Sequence, residues 1–285
     1  MACGVLPATG VAGPAPRRAR PLSELGPRTP VVEVTPPSLL VVDLGVLPFT
    51  AALELQRAVA RARIAGTVVE DVLLLVEHPP VVTLGRASKT HHLVAAPEAL
   101  AALGVELHEV ERGGDVTFHG PGQLVGYPVI DLKRHKRDLH WYLRQVEEAL
   151  IRGLAAVGVA GERSPGYTGV WVGGPAHDAA AGGAPPAPPR KIASIGVHAR
   201  DWVTWHGFAL NVTTDLDYFG LIVPCGIAGV TMTSVAAERH PQAVDTRRVR
   251  EAVADAFAEV FGLVPARIDR DAGMALAGLA PAVPA

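Results

Sequence analysis

The sequence predicts an α+β fold, a mixed β-sheet packed against α-helices, on two observations. Three segments carry apolar residues at helical period, and eight short runs rich in β-branched residues read as strands. The strands outnumber the helices and several are joined by short turns, which favours a mixed or antiparallel sheet over regular βαβ alternation. Residues 38–45 read as the first strand, followed by a helix that Thr50 can cap and that carries Leu53, Leu55 and Val59. Strands at 71–76, 81–84 and 124–131 come next. Asp138 can cap a second helix with Leu139, Leu143, Val146, Leu150 and Leu154 on one face, closed by Gly158. Further strands are predicted at 167–172, 191–198, 206–212 and 221–223. The third helix, near Thr246 to Gly262, aligns Val249, Val253, Phe257 and Val260, with Gly262 as its C-terminal stop.

At 285 residues the chain approaches the upper size for one hydrophobic core, and no second region has its own set of strands and helices. One domain is expected over 38–268, between Ala/Pro/Gly-biased tails at 1–37 and 269–285 that lack apolar periodicity and read as disordered. A similar island at 174–189 reads as a flexible loop insertion. A net charge of −2 and a pI near 6.6 give no electrostatic case for nucleic acid or for an anionic membrane surface. No apolar run reaches the roughly 18 residues of a membrane helix, and the first twenty residues lack a secretory h-region. The cluster Arg17, Arg18 and Arg20 reads as tail composition, with an organellar presequence as the alternative. Only two cysteines occur, and Cys3 sits in the tail, so no structural disulfide is expected and a cytoplasmic setting fits.

Four features bear on chemistry. Only four of the 26 basic residues are lysines, and Lys191 directly follows Arg190. A solvated charge could equally be Arg in so Arg-biased a chain, whereas a group that must lose and regain a proton cannot, which favours a chemical role for Lys191. In a strand over 191–198, Lys191 would share a face with Ala193, Ile195 and Val197. A solvent-exposed strand-start lysine is the plain alternative. Cys225 lies where a predicted strand meets Pro224 and Gly226, a junction that places a side chain at the end of a sheet. A lone Cys in an apolar run is otherwise an inert core residue. Together the two suggest a pair, because a cation beside a thiol favours the thiolate, the form that attacks thioesters.

The third feature is the Gly-rich stretch Arg112-Gly113-Gly114-Asp115-Val116-Thr117-Phe118-His119-Gly120-Pro121-Gly122-Gln123, which runs into an apolar strand. It fits tight loops whose backbone amides face a ligand, but it matches neither a phosphate-binding nor a dinucleotide motif. Surface turns are the alternative. The fourth is Trp205 to Val212, where Gly207, Ala209 and Asn211 would share a small strand face. Such a face leaves room for an alkyl chain, each buried methylene contributing about 0.8 kcal/mol, or for core packing. No metal site is expected, since His91, His92, His119, His198 and His206 show no ligand spacing.

These segments, in this order, resemble the lipoyl(octanoyl) transferase family, related in fold to biotin and lipoate protein ligases. The likeness rests on Glu77-His78-Pro79-Pro80 with Thr83-Leu84-Gly85-Arg86, the block from Arg112 to Gln123, Lys191 to Gly196, His206 to Asn211, and Pro224-Cys225-Gly226-Ile227. It spans about residues 38 to 265 and leaves out both tails and the 174–189 insertion. The resemblance implies that Cys225 forms an acyl-thioester intermediate, with Lys191 activating it or serving as acid and base. It also implies substrate contacts from Arg112 to His119, at Ser194, Ile195 and Gly196, and at Gly207, Phe208 and Ala209. The implied donor is octanoyl acyl carrier protein. The implied acceptors are lipoyl domains of 2-oxoacid dehydrogenase subunits and the glycine cleavage carrier protein. No cofactor and no ATP are implied, because a thioester is already activated.

Three rivals remain at this level. An ATP-dependent lipoate ligase of the same fold would not need a nucleophilic Cys. A thioester hydrolase would pair Cys225 with a histidine such as His119 or His206, and a silent binding module would be indifferent to Cys225→Ala.

Overall fold

The computed structural model describes residues 37–173 and 188–278, so the expectations for 1–36, 174–187 and 279–285 lie outside the described residues. A mixed sheet with helices on both faces forms the body of the protein. Its strands are β1 (Ser38–Val46), β2 (Asp71–Glu77), β6 (Gln123–Val129), β7 (Val170–Val172), β8 (Arg190–Arg200), β9 (Val203–Asn211), β10 (Thr231–Met232) and β11 (Val264–Ile268). The order is β10-β8-β9-β6-β2-β1-β11, with β7 paired to β8. The β1–β2, β1–β11 and β8–β10 pairs are parallel and the others antiparallel. A second sheet joins β3 (Val81–Leu84), β4 (Glu106–Glu109) and β5 (Val116–His119) in the order β4-β3-β5.

The helices follow from apolar stripes and caps. Helix α1 (Phe49–Ala65) packs Leu55 and Val59 on one sheet face with Val72, Leu74 and Val76 of β2. After the short α2 (Pro97–Ala102), α3 (Leu139–Ala155) begins at Asp138, whose carboxylate accepts the Trp141 N–H at 3.0 Å. Past α4 (Val235–Arg239), α5 (Thr246–Phe261) is capped by Asp245 and stopped by Gly262 in the left-handed conformation. Helices α3 and α5 cover the other face, where Val146, Leu150, Val253 and Phe257 meet Leu73 and Leu75. Strand β2 therefore alternates between two cores and is apolar from Val72 to Val76, as burial on both faces requires. No helix among the described residues is long and apolar enough to cross a membrane.

Several expectations need correction. Thr50 is exposed and caps nothing, because Pro48 occupies the N-cap position and the helix starts at Phe49. Residues 221–223 form no strand, and Ile222 makes only an isolated bridge to Leu93. The Gly-rich block contains β5, which pairs with β3. Arg270–Leu276, expected within a structureless tail, forms helix α6, capped by Asp269, with Met274 and Leu276 against the α1 core. Most consequential is β8, where Val170 pairs with Ala193 but the next residue, Trp171, pairs with Lys191. Ile192 is thus an extra residue in the ladder, and a bulge of this kind re-aims side chains across the sheet. Lys191 therefore leaves the face of Ala193, Ile195 and Val197, which pack on the α3/α5 core.

Helices α3 and α5 touch where Gly153 meets Val253. A Cβ on Gly153 would stand 3.0 Å from the Val253 Cα, closer than unstrained packing allows. Gly153→Val is expected to destabilise the protein by about 1–3 kcal/mol through overpacking, read as a lower urea midpoint at unchanged m-value. An unchanged midpoint would show that the helices separate at little cost.

Candidate active site

One cavity of about 370 Å³ collects most of the predicted site residues, a size at the small end for a ligand pocket. Cys225 sits on the tight turn Pro224–Gly226 with φ +56, and Gly226 follows at φ +67. A left-handed non-glycine residue costs on the order of 1–3 kcal/mol, so the surroundings must hold it. They do so through backbone bonds from Gly226 N to Val223 O and from Ile227 N to Pro224 O, and from Val223 N to the His92 carbonyl. A side chain at Gly226 would run into Asp115, whose Oδ2 is held by His92 Nδ1 at 2.6 Å. Cys225 carries no disulfide and is half-buried.

Lys191 reaches the same point from β8. Its Nζ donates to Cys225 Sγ at 3.2 Å and to the Thr168 carbonyl at 3.2 Å, and lies 5.1 Å from the centre of the Trp171 ring. Ser194 Oγ stands 3.6 Å from the same sulfur. The bulge at Ile192 lets Lys191 and Ser194, three residues apart, approach one atom. Gly169 makes room for the lysine stem: its φ is +127, and a Cβ there would come within 2.9 Å of Lys191 Cε and 2.6 Å of the Ala193 carbonyl.

Arg112 is buried beside this pair. Its Nη2 donates to Thr83 O at 2.7 Å and Thr83 Oγ1 at 3.0 Å, and its Nε finds no partner among the described residues. Burial lowers its pKa to about 10, against the opposing pull of Cys225. Gly113 N bonds Val197 O at 2.8 Å and ties this loop to β8. Thr117 Oγ1, also on the cavity, is buried and has no partner among the described residues.

The remaining wall is apolar and neutral. Phe49, Val125, Tyr127, Phe208, Ala209 and His119 line it. Burial pushes His119 down to about 3, and its Nδ1 donates to Gln123 Oε1 at 2.8 Å. Gln123 Nε2 donates to Asn211 Oδ1 at 2.9 Å, and Asn211 Nδ2 to Thr233 O at 2.9 Å. Behind this wall His78 is pushed down to about 4 by burial, its Nδ1 donating to Leu47 O and its Nε2 accepting from the Tyr127 hydroxyl, each at 2.7 Å.

Of the predicted residues, Cys225, Lys191, Arg112, Gly114, Asp115, Thr117, His119, Ser194, Ile195, Gly196, Gly207, Phe208 and Ala209 line the cavity. Val116 and Phe118 do not: alternation along β5 turns them into a separate core with Val82, Phe219 and Ile222. Gly113 serves through its backbone. Gly207 borders the cavity, but the place its side chain would take is filled by the Gly126 carbonyl of β6 and is not open space. Asn211 is committed to the hydrogen-bond chain. Sequence reasoning missed Thr83, Phe49, Tyr127, His92, Thr168 and Trp171. The run Tyr167-Thr168-Gly169-Val170-Trp171 offered a signal, a glycine interrupting a predicted strand, which marks close backbone approach. Among the described residues no group of three or more His, Cys, Asp or Glu side chains is placed to hold a metal.

Comparison with known proteins places the chain in a family. The family described as the lipoyl protein ligase A/B catalytic domain matches residues 48–258. An octanoyltransferase of Gloeobacter violaceus is 46% identical over 224 residues, covering 79% of this chain and 90% of that one. An octanoyltransferase of Koribacter versatilis is 50% identical over 200 residues, covering 70% and 74%. Among solved structures, a bipartite lipoate protein ligase from Thermoplasma acidophilum superposes with a TM-score of 0.63 at 18% identity, over 85% of this chain and 91% of that one. A lipoate-protein ligase A bound with ATP superposes at 0.61 with 16% identity, over 86% and 93%. At such identities the likeness concerns the fold alone.

His78 and His119 set a pH dependence. Their folded-state values, about 4 for His78 and about 3 for His119, lie below the ordinary 6.5. Below pH 6.5 the unfolded chain takes up protons that the folded chain refuses, so this stability is present above 6.5 and is lost as pH falls toward 4 and 3. Each group should contribute about 1.4 kcal/mol per pH unit within that window. Urea unfolding at pH 7.5, 5.5 and 4.5 is expected to show this decline, with a shallower slope for His119→Gln. Equal slopes would mean that His119 takes up its proton within the fold.

Proposed function

The chain belongs to the octanoyltransferase family, acyltransferases built on the lipoyl protein ligase A/B catalytic domain, and from that we propose that it moves an octanoyl group from octanoyl acyl carrier protein to the lysine ε-amine of a lipoyl domain through a thioester on Cys225. The observation that carries this reading is the 3.2 Å contact between Lys191 Nζ and Cys225 Sγ in a cavity with an apolar, neutral wall.

In the first half-reaction the Cys225 thiolate attacks the thioester carbonyl carbon of the donor. The bond from that carbon to the pantetheine sulfur breaks, and the leaving sulfur takes a proton from Lys191 Nζ, which becomes a neutral amine. Charge developing on the carbonyl oxygen is met by the fixed positive Arg112, which couples electrostatically to Cys225. In the second half-reaction the acceptor amine attacks the acyl-enzyme and an amide forms. Lys191 takes the amine's proton and Cys225 leaves as thiolate beside the restored ammonium. Protons and charge return to their starting state with no ATP consumed. Lipoyl domains of 2-oxoacid dehydrogenase subunits and the glycine cleavage carrier protein are the acceptors that suit this chemistry.

The setting of His119 argues against its use in a hydrolase: it is bonded to Gln123, and among the described residues the side chains that hydrogen-bond the Cys225 sulfur are Lys191 and Ser194. Intact-mass spectrometry after incubation with octanoyl acyl carrier protein should show an octanoyl adduct on the wild type that passes to an added lipoyl domain without ATP. Cys225→Ser should lower kcat by roughly 10³-fold or more, and Lys191→Ala by roughly 10²- to 10⁴-fold. Modification only with ATP and free acid would replace this reading with a ligase, and release solely as free acid would replace it with a hydrolase.

A further inference from the structure

The site's least expected neighbour is a carboxylate that does not touch the cavity. Glu147 lies on α3 with a fully buried side chain. Its two oxygens divide their work. Oε2 accepts from Arg144 Nη1 at 2.6 Å and from Arg163 Nε at 3.2 Å, while Oε1 accepts the backbone N–H of Gly169 at 3.1 Å. Gly169 is the residue whose bare backbone accommodates the Lys191 stem, and the carbonyl just before it, on Thr168, receives the Lys191 ammonium at 3.2 Å. The peptide unit from Thr168 to Gly169 therefore has its N–H fixed by Glu147 and its C=O fixed on Lys191.

A peptide unit is rigid and planar, so holding its N–H sets the direction of its C=O. We propose that Glu147 is a positioning residue, which aims the Thr168 carbonyl and thereby seats Lys191 Nζ against Cys225. A buried carboxylate would be costly at this place without partners, and Arg144 and Arg163 supply the charge that lets it stay. The rest of the strap is pinned on its own: Glu162 and Trp171 exchange backbone hydrogen bonds at 2.8 and 2.9 Å. What Glu147 adds is the orientation of one peptide unit. This inference rests on the reading of Cys225 and Lys191 as the reacting pair.

Two variants separate reach from charge. Glu147→Gln removes the charge but keeps an acceptor oxygen at the same reach, and Glu147→Asp keeps the charge but withdraws it from Gly169. The readouts are kcat and KM for acyl transfer, the pH midpoint of Cys225 alkylation by iodoacetamide, and the thermal midpoint, with Lys191→Ala alongside. Glu147→Asp is expected to lower kcat about tenfold with KM for the acyl donor unchanged, and to move the alkylation midpoint in the same direction as Lys191→Ala. Glu147→Gln should stay within about threefold of wild type in kcat at the wild-type alkylation midpoint, even where its thermal midpoint falls. The reverse ranking, or kcat losses that simply follow the thermal midpoint, would overturn the proposal and leave Glu147 a structural ion pair. So would a wild-type alkylation profile in Glu147→Asp while Lys191→Ala shifts it. A wild-type alkylation profile and full activity in Lys191→Ala would instead sink the reading of the reacting pair.

Discussion

A lysine with 1% of its surface exposed must find its hydrogen-bond partners inside the protein, and Lys191 has the Thr168 carbonyl, the Cys225 sulfur and the face of Trp171. Much of the surrounding architecture follows from placing that one amine. The extra residue at Ile192 swings it off the α3/α5 core, the missing side chain at Gly169 admits its stem, and the left-handed turn at Cys225 brings the sulfur to meet it. None of these is a local optimum. A bulge sacrifices a ladder bond and a left-handed cysteine is strained, so both must be held by what is packed around them.

The second requirement is a wall that offers an acyl chain no charge. His119 and His78 satisfy it because burial keeps both neutral, and hydrogen bonds to Gln123, Leu47 O and Tyr127 fix their orientation. The chain from His119 through Gln123 and Asn211 to the Thr233 carbonyl leaves none of its amide groups competing for a ligand. Thr233 N in turn donates to Lys191 O at 2.9 Å, so the neutral wall and the reactive strand are parts of one hydrogen-bonded frame. The cavity thereby separates an apolar side from a side of fixed positive charge and thiol.

Much of this was legible in the sequence, and what was not shares a cause. The helices at 139–155 and 246–261 announced themselves through apolar stripes, with an Asp cap for the first and a terminal Gly for the second. The pairing of Lys191 with Cys225 was suggested by the scarcity of lysine and by the Pro-Cys-Gly junction. By contrast, β5 was hidden in a Gly-rich block because its pairing with β3 is a tertiary fact, and α6 was hidden in a compositionally biased tail although Asp269 caps it. The bulge was invisible for the same reason: strict alternation put Lys191 with Ala193, and only the register against β7 reveals the extra residue. Periodicity reports what an element does alone, whereas a site is built where elements depart from their period to meet one another.

That distinction also bears on how one fold serves more than one chemistry. The sheet and helices superpose on a lipoate-protein ligase bound with ATP at only 16% identity, so the layout does not itself specify a reaction. On the proposed reading, what specifies it here is confined to a few residues at the cavity's edge: a thiol on a turn, an amine on a bulged strand, and a guanidinium with one nitrogen unpartnered among the described residues. On the reading proposed above, a thioester donor would arrive activated, and the protein would have to supply only a nucleophile, a proton carrier and a positive charge, all within a single pocket. Such a set can be carried by one turn and one bulge without disturbing either core. The bulge departs from regular structure only locally, and β8 keeps its pairing with β7 and β9 around it.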